Sequence, residues 1–385
     1  MRSRTLYIIA IFIKMNCFNS FSSQIAIKQN KNKPWSELGL GVSGGATPVV
    51  YAIHVLDLSN VFVGGNFTSV GDISVNRIAK WNAHSGSWSP LGTGCIGAST
   101  PPVVYAIHAT SASNIYVGGT FAMAGNVSNT NRIARWNSLT NTWSALSGGS
   151  SGTGVYAIHS SGTDVYVGGA FTTVINGSTL VSASNIARWS GSAWSALDAG
   201  VGNDVYTIYA HSSGVYVGGY FTGAASSISG SRIARWSGSS WTTLNGGCNS
   251  QVNAIYVIDA NNIFVGGNFT TVGNPAIPVN YIAKWNNNTN RWSALGSGCN
   301  NYVQTIHALD SNNIFVGGNF NGDLSMNYIA KWNNNTTEWS ALGSGCNNYV
   351  QTIYALDSRN VFVGGNFTTA GGITVNRIAK WDNGS

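Results

Sequence analysis

The sequence predicts an all-β protein, a seven-bladed β-propeller of four-stranded blades, and three observations carry that prediction. The figure Val61-Phe62-Val63-Gly64-Gly65-Asn66-Phe67 recurs in seven units: its closing phenylalanines, Phe67, Phe121, Phe171, Phe221, Phe269, Phe320 and Phe367, lie 54, 50, 50, 48, 51 and 47 positions apart. A fixed period of that size marks a repeat architecture. Each unit holds four short apolar runs separated by Gly, Ser, Asn and Asp. All 14 tryptophans fall on two repeat positions.

In the first unit the runs are Val50–His54, Val61–Phe67, Arg77–Trp81 and Trp88–Leu91. Each is short, β-branched or aromatic and bounded by turn formers, so each reads as a strand. After the first 23 residues no stretch sustains a 3.6-residue period, so no helix is expected. Four strands in each of seven units is the count of a propeller. Trp81, Trp136, Trp189, Trp236, Trp285, Trp332 and Trp381 end third strands, and Trp35, Trp88, Trp143, Trp194, Trp241, Trp292 and Trp339 begin fourth strands. Trp35 arrives before any first strand, and the sequence stops just after Trp381. Residues 35–38 should therefore pair with 377–381, complete the last blade and close the ring.

Packing explains the repeated positions. Gly64 and Gly65 let a neighbour approach closely and permit φ > 0 at the strand end. Phe67 and two Trp per blade fill the wedge between sheets, each burying roughly 150–250 Å². In Ile78-Ala79-Lys80-Trp81, alternation sets Ala and Trp against one neighbour and lets the Lys stem run along the outside. The double glycine is no phosphate cradle, because every copy leads to a strand and not to a helix.

Residues 1–23 read as a secretory signal: Arg2 and Arg4, then an apolar core from Leu6 to Ile13, then Ser20-Phe21-Ser22. Residues 24–34 read as a polar linker and 35–385 as the propeller. No stretch has the ~20 apolar residues of a transmembrane helix. Cys17 lacks the small-residue context of a lipoprotein site.

Charged residues make up 8% of the chain, far below the ~25% of an average soluble domain. Polar neutral residues must solvate the surface, which suits an extracellular protein. The net charge of +7 belongs to the start of the chain, since 13 basic and 12 acidic residues follow Trp35. Seven of the 13 are one repeat position, from Lys80 to Lys380. They are spread around the ring, so no nucleic-acid stripe is expected.

With Val265-Gly266-Gly267, Trp285 and Trp292 in their places, the unit resembles the kelch repeat, the propeller unit of the central domain of galactose oxidase. Gly-Gly-Asn-Phe-Thr and Ile-Ala-Lys-Trp also look like the repeats of secreted or cell-surface Rax2-like propellers. The resemblance covers residues 35–385 and implies a propeller that binds partners, a minority of such propellers being enzymes. The copper site of galactose oxidase draws on residues outside the repeats. No position here matches it, and no site residue is carried over.

His54, His108, His159 and His307 end first strands and invite a metal reading. Tyr209, Tyr256 and Tyr354 hold that place in the other units, and the near-duplicates Val303–His307 and Val350–Tyr354 swap one ring for the other. The position wants an aromatic with a polar tip, so no metal or cofactor is expected. Asp57, Asp259, Asp310 and Asp357 share one loop position. Asp310 begins a faintly calcium-like run, but the Gly and closing Glu are missing, and a turn role is expected. No isolated His–carboxylate–nucleophile set stands out. Cys95, Cys248, Cys299 and Cys346 share one repeat position; the last three serve consecutive blades, a spacing beyond the ~7 Å Cα limit of a disulfide, and Cys95 is remote, so free or buried thiols are expected. Of the glycosylation sequons, those at Asn126, Asn176, Asn287 and Asn334 fall in loops and are the candidate glycan sites; Asn66, Asn268 and Asn366 lie inside the repeated figure and read as structural.

Function is then expected from the loops that break the repeat. Thr172–Ser184, Thr222–Ser231 and Thr270–Asn280 vary most and share a face with the Gly-Cys loops, the place for binding on a rigid scaffold. The expectation is a secreted or surface-bound, non-catalytic, monomeric propeller that binds a protein or glycan by this face. The alternatives are a lectin using repeated Trp, Asn and Asp, and then a secreted enzyme.

Overall fold

A computed structural model describes residues 34–97, 101–225, 228–229, 231–321 and 326–382. The expected signal over 1–23 and the linker over 24–34 lie outside the described residues, save Pro34. Every regular element described is a strand. Among the described residues there are seven four-stranded antiparallel sheets. In blade one, Val49–Asp57, Asn60–Asn66, Ile78–Asn82 and Ser87–Pro90 lie in chain order across the sheet. The first strands of successive sheets touch in a circuit that returns from Val350–Asp357 to Val49–Asp57, so the first strand is innermost.

The last sheet borrows its outer strand from the other end of the chain. Trp35–Glu37 pairs antiparallel with Ile378–Trp381, Trp35 opposite Trp381 and Glu37 opposite Ala379. The Asp382 amide also donates to the Pro34 carbonyl at 2.7 Å.

The two tryptophans of each blade pack with centroids 5.0–5.3 Å apart, at the join as elsewhere. Each fourth-strand indole N–H donates to a leucine carbonyl of the preceding blade, Trp88 to Leu38 at 3.0 Å and Trp292 to Leu244 at 2.7 Å. Trp35 does the same to Leu342 at 3.0 Å. A buried indole N–H needs such a partner, and here the preceding blade supplies it. All seven fourth-strand tryptophans are used in this way.

The glycine pair serves close approach and not left-handed backbone: neither Gly64 nor Gly65 has a positive φ, so that half of the expectation is corrected. A Cβ on Gly64 would collide with the Val104 side chain of the next blade, and one on Gly65 with the Val49 carbonyl. At the join, a Cβ on Gly364 would meet Val50 in the same way. Opposite the pair the innermost strand bulges: Val50 faces Gly65 and Ala52 faces Gly64, leaving Tyr51 as the extra residue. The same register shift follows Val104, Val155, Val205, Val252, Val303 and Val350. A bulge turns its extra side chain away from the ladder.

The repeated basic position runs along the outside. Lys284 Nζ donates to Asn334 Oδ1 of the next blade at 3.1 Å, and Arg188 pairs with Asp164 at 3.5 Å. On the loop face, among the described residues, the connection entering six of the blades pairs with that blade's second-to-third connection, as Val42 with Val70, Cys95 with Ala124, Cys248 with Val272 and Cys346 with Ala370. The variable connections are thus short hairpins, Thr173–Asn176 with Thr179–Ser182 the longest among those described.

Candidate functional site: the mouth of the central channel

The seven bulged residues are Tyr51, Tyr105, Tyr156, Tyr206, Asn253, Gln304 and Gln351. Together with Asp204 and Gln251 they line one cavity of about 430 Å³. It opens on the loop face, because the first strands start there. Four consecutive blades present tyrosine and the other three present an amide.

The tyrosines form an arc, with centroids 5.1 Å apart for Tyr51 and Tyr105, 5.4 Å for Tyr105 and Tyr156, and 5.9 Å for Tyr156 and Tyr206. Burial raises all four phenols above their usual range, and Tyr156, which also feels Asp204 and its tyrosine neighbours, is pushed up to about 12. They are neutral donors at any physiological pH. The amides form a chain: Gln251 Nε2 donates to Asn253 Oδ1 at 2.6 Å, and Asn253 Nδ2 reaches Gln304 Oε1 at 3.2 Å and the Val303 carbonyl at 3.0 Å. The Tyr206 hydroxyl donates to Asp204 at 3.4 Å. The hydroxyls of Tyr51, Tyr105 and Tyr156 and the Gln351 amide have no hydrogen-bond partner among the described residues, so their valences are open to a ligand or to water.

Three residues deeper is a second ring. His54, His108, His159, Tyr209, Tyr256, His307 and Tyr354 contact one another in a closed circuit with centroids 4.3–5.1 Å apart. Backbone amides of the following blade donate to two of these imidazoles, Ala210 to His159 Nδ1 at 3.2 Å and Ala355 to His307 Nδ1 at 3.3 Å. Tyr256 donates to the Ala308 carbonyl at 2.7 Å. Accepting the Ala355 amide leaves His307 Nδ1 without a proton, whereas His159 Nδ1 also lies 3.1 Å from the Ser160 carbonyl, a contact that belongs to the other tautomer. Burial holds His54 and His159 down to about 4 and His307 to about 3, with His108 also well below the usual range. The ring is a set of neutral staples between blades, the role expected for an aromatic with a polar tip.

The remaining expected residues lie away from the mouth. Asp57, Asp259, Asp310 and Asp357 each accept from the amide two residues on and from the Asn side chain three residues on, as in Asp310 with Asn312 at 2.7 Å. They are turn formers. Cys95, Cys248, Cys299 and Cys346 are free and buried, and burial raises every one of these thiols. Of the candidate glycan sites, Asn126 is exposed. The Asn176 amide is bonded in both directions to the Trp194 backbone, at 2.9 and 2.7 Å. Asn287 and Asn334 accept from Arg235 and Lys284 of the preceding blade.

The mouth tyrosines and amides were missed because alternation in Val-Tyr-Ala-Ile-His draws the eye to the histidine. The signal was present: one repeat position reads Tyr four times and then Asn, Gln, Gln.

This geometry defines a repeat β-propeller with sevenfold packing and an asymmetric channel mouth. The chain belongs to the family of the Rax2 C-terminal β-propeller domain, whose model matches residues 27–208 and 237–358. No curated protein matches it. Among solved structures it is similar to the extracellular domain of a putative hybrid two-component system from B. thetaiotaomicron, with 14% identity and a TM-score of 0.59 over 90% of this chain and 39% of that one. It is also similar to the WD40 β-propeller domain of Doa1, with 11% identity and a TM-score of 0.52 over 89% and 95%. The computationally designed Ika8 protein matches at 16% identity and a TM-score of 0.52 over 86% and 84%. At these identities the likeness is one of fold. Among the described residues no helix is long and apolar enough to cross a membrane.

Proposed function

We propose that this chain is a non-catalytic propeller, secreted or held at the cell surface, that binds a protein or glycan through its loop face. The observation that carries this reading is the mouth, where an inward position breaks the repeat into four tyrosines and three amides. Packing has no use for that break, since the ring just below it closes with either His or Tyr. Rim hairpins such as Thr173–Ser182 vary around it, and recognition belongs on such loops. The leader-like start and the sparse charge support an extracellular setting. A binding and not a catalytic role is supported by the duties of the titratable groups: the histidines join blades and the repeated aspartates hold turns.

The test is capture from the extracellular fraction of the source organism on immobilised protein. One variant shortens the hairpin 173–182 to a tight turn; a second carries Leu139→Ala in an exposed turn on the opposite face. Loss of a retained macromolecule in the first alone is expected. Equal retention by both variants counts against the loop face.

A further inference from the structure

We propose that the channel mouth binds a short neutral carbohydrate, its ring faces lying on the tyrosine arc and its hydroxyls on the amide wall. The proposal rests on the reading that the loop face is the binding face. A pyranose has an apolar C–H face and a rim of hydroxyls, each both donor and acceptor. Its complement is an aromatic surface opposite groups that also donate and accept. Tyr105 and Tyr156 supply the first, with centroids 5.4 Å apart and free hydroxyls. Gln304 and Gln351 supply the second, since a primary amide carries two donors and an acceptor.

Both walls are held before any ligand arrives. Asn253 is buried and tied to Gln251, Gln304 and the Val303 carbonyl. The tyrosines brace one another, and a tyrosine has few rotamers to lose on binding. At about 430 Å³ the cavity lies within the ~300–1,000 Å³ range of small-ligand pockets and takes a ligand of disaccharide size.

Charge narrows the class. No Lys or Arg lines the cavity, so an anionic ligand would meet Asp204 with no counter-charge. A quaternary ammonium is held by aromatic rings that surround a point. Here the rings follow one another along one wall, Tyr105 edge-to-face on Tyr156 at 89° and the outer pairs tilted by 52° and 34°, and the wall facing them presents N–H donors and not a fourth aromatic side. The site also differs from a lectin built on tryptophan, because the fourth-strand indoles are spent between blades.

The experiment is calorimetric titration of the full chain with tetrasaccharides of glucose, mannose, galactose, xylose and N-acetylglucosamine, with a urea midpoint for each variant to confirm folding. At least one sugar should bind, and Tyr105→Ala and Tyr156→Ala should each weaken it by about tenfold or more. Gln351→Ala should weaken it by about threefold, one open hydrogen bond, and Leu139→Ala should leave it unchanged. The proposal is overturned if no sugar binds at about 10 mM, a Kd beyond useful recognition, or if both folded tyrosine variants bind like the parent. It is also overturned if choline or a proline-rich peptide binds through Tyr105 while no sugar does. If capture by the loop face persists and the sugars stay silent, the carbohydrate class fails and the loop-face reading stands. If hairpin-dependent capture fails while a sugar binds through Tyr105, the mouth site stands and the part given to the rim hairpins in macromolecular capture fails.

Discussion

The wedge between blades and the mouth of the channel are built from the same repeat and obey opposite rules. In the wedge every copy agrees: two tryptophans in contact, an indole bonded to the preceding blade, a glycine pair where no Cβ fits. At the mouth the copies disagree, with tyrosine in four blades and an amide in three. Seven identical interfaces can be packed only one way, so uniformity reports stability. The inward position at the mouth packs with a phenol in four blades and an amide in three, so it can diverge without changing the wedge, and that divergence is what the proposed recognition rests on.

The deeper His/Tyr ring should give the largest effect on stability, and it belongs with the wedge. Unfolded imidazoles titrate near 6.5, whereas burial holds His54 and His159 near 4 and His307 near 3. Between those limits the unfolded chain binds more protons, so stability rises with pH and is lost as pH falls from about 6.5 toward 4. The loss approaches an upper bound of about 3 kcal/mol per imidazole, read as the urea midpoint against pH. His307→Tyr, which copies Tyr354, should flatten that curve by about one proton; an unaltered curve would remove His307 from the account. The four mouth phenols do not titrate in this range and should contribute nothing to it.

Next is Gly65→Ala, which sets a Cβ against the Val49 carbonyl and should cost about 3 kcal/mol or more in chemical denaturation. Gly365→Ala, whose Cβ meets the Tyr349 carbonyl, should cost as much. A large difference between the two would break the claim that blade seven is packed like blade one.

A smaller effect is expected for Trp194→Phe and Trp35→Phe. Each leaves a leucine carbonyl without its indole donor, a loss of about 1–2 kcal/mol. Equal values would show the join to be as tight as an interior interface, while a silent Trp35→Phe would mean an open ring. Smaller again, Asp310→Ala removes the acceptor for Asn312 and Asn313 and should cost about 0.5–1 kcal/mol with capture unchanged.

What was legible in the sequence divides along the same line. Trp35 ahead of any first strand and Trp381 at the end announced a shared blade, because a period is visible without coordinates. The loop face was legible too, since alternate connections share a side. The mouth was not. Strict alternation says nothing of which residue a bulge turns inward, and the bulge at Tyr51, set opposite Gly64 and Gly65, shows only in the register of the ladder. The glycine pair was read correctly as close packing and wrongly as a left-handed strand end, because neighbours and not local conformation set its backbone.

The most direct test of this division is Tyr105→Gln, which places in blade two the residue that blades six and seven carry. Its urea midpoint and its capture of the retained macromolecule are measured on the same preparation. The account predicts stability within about 1 kcal/mol of the parent, because blades six and seven accommodate glutamine at this position, and capture reduced by about tenfold. A marked loss of stability with undiminished capture per folded molecule would contradict it.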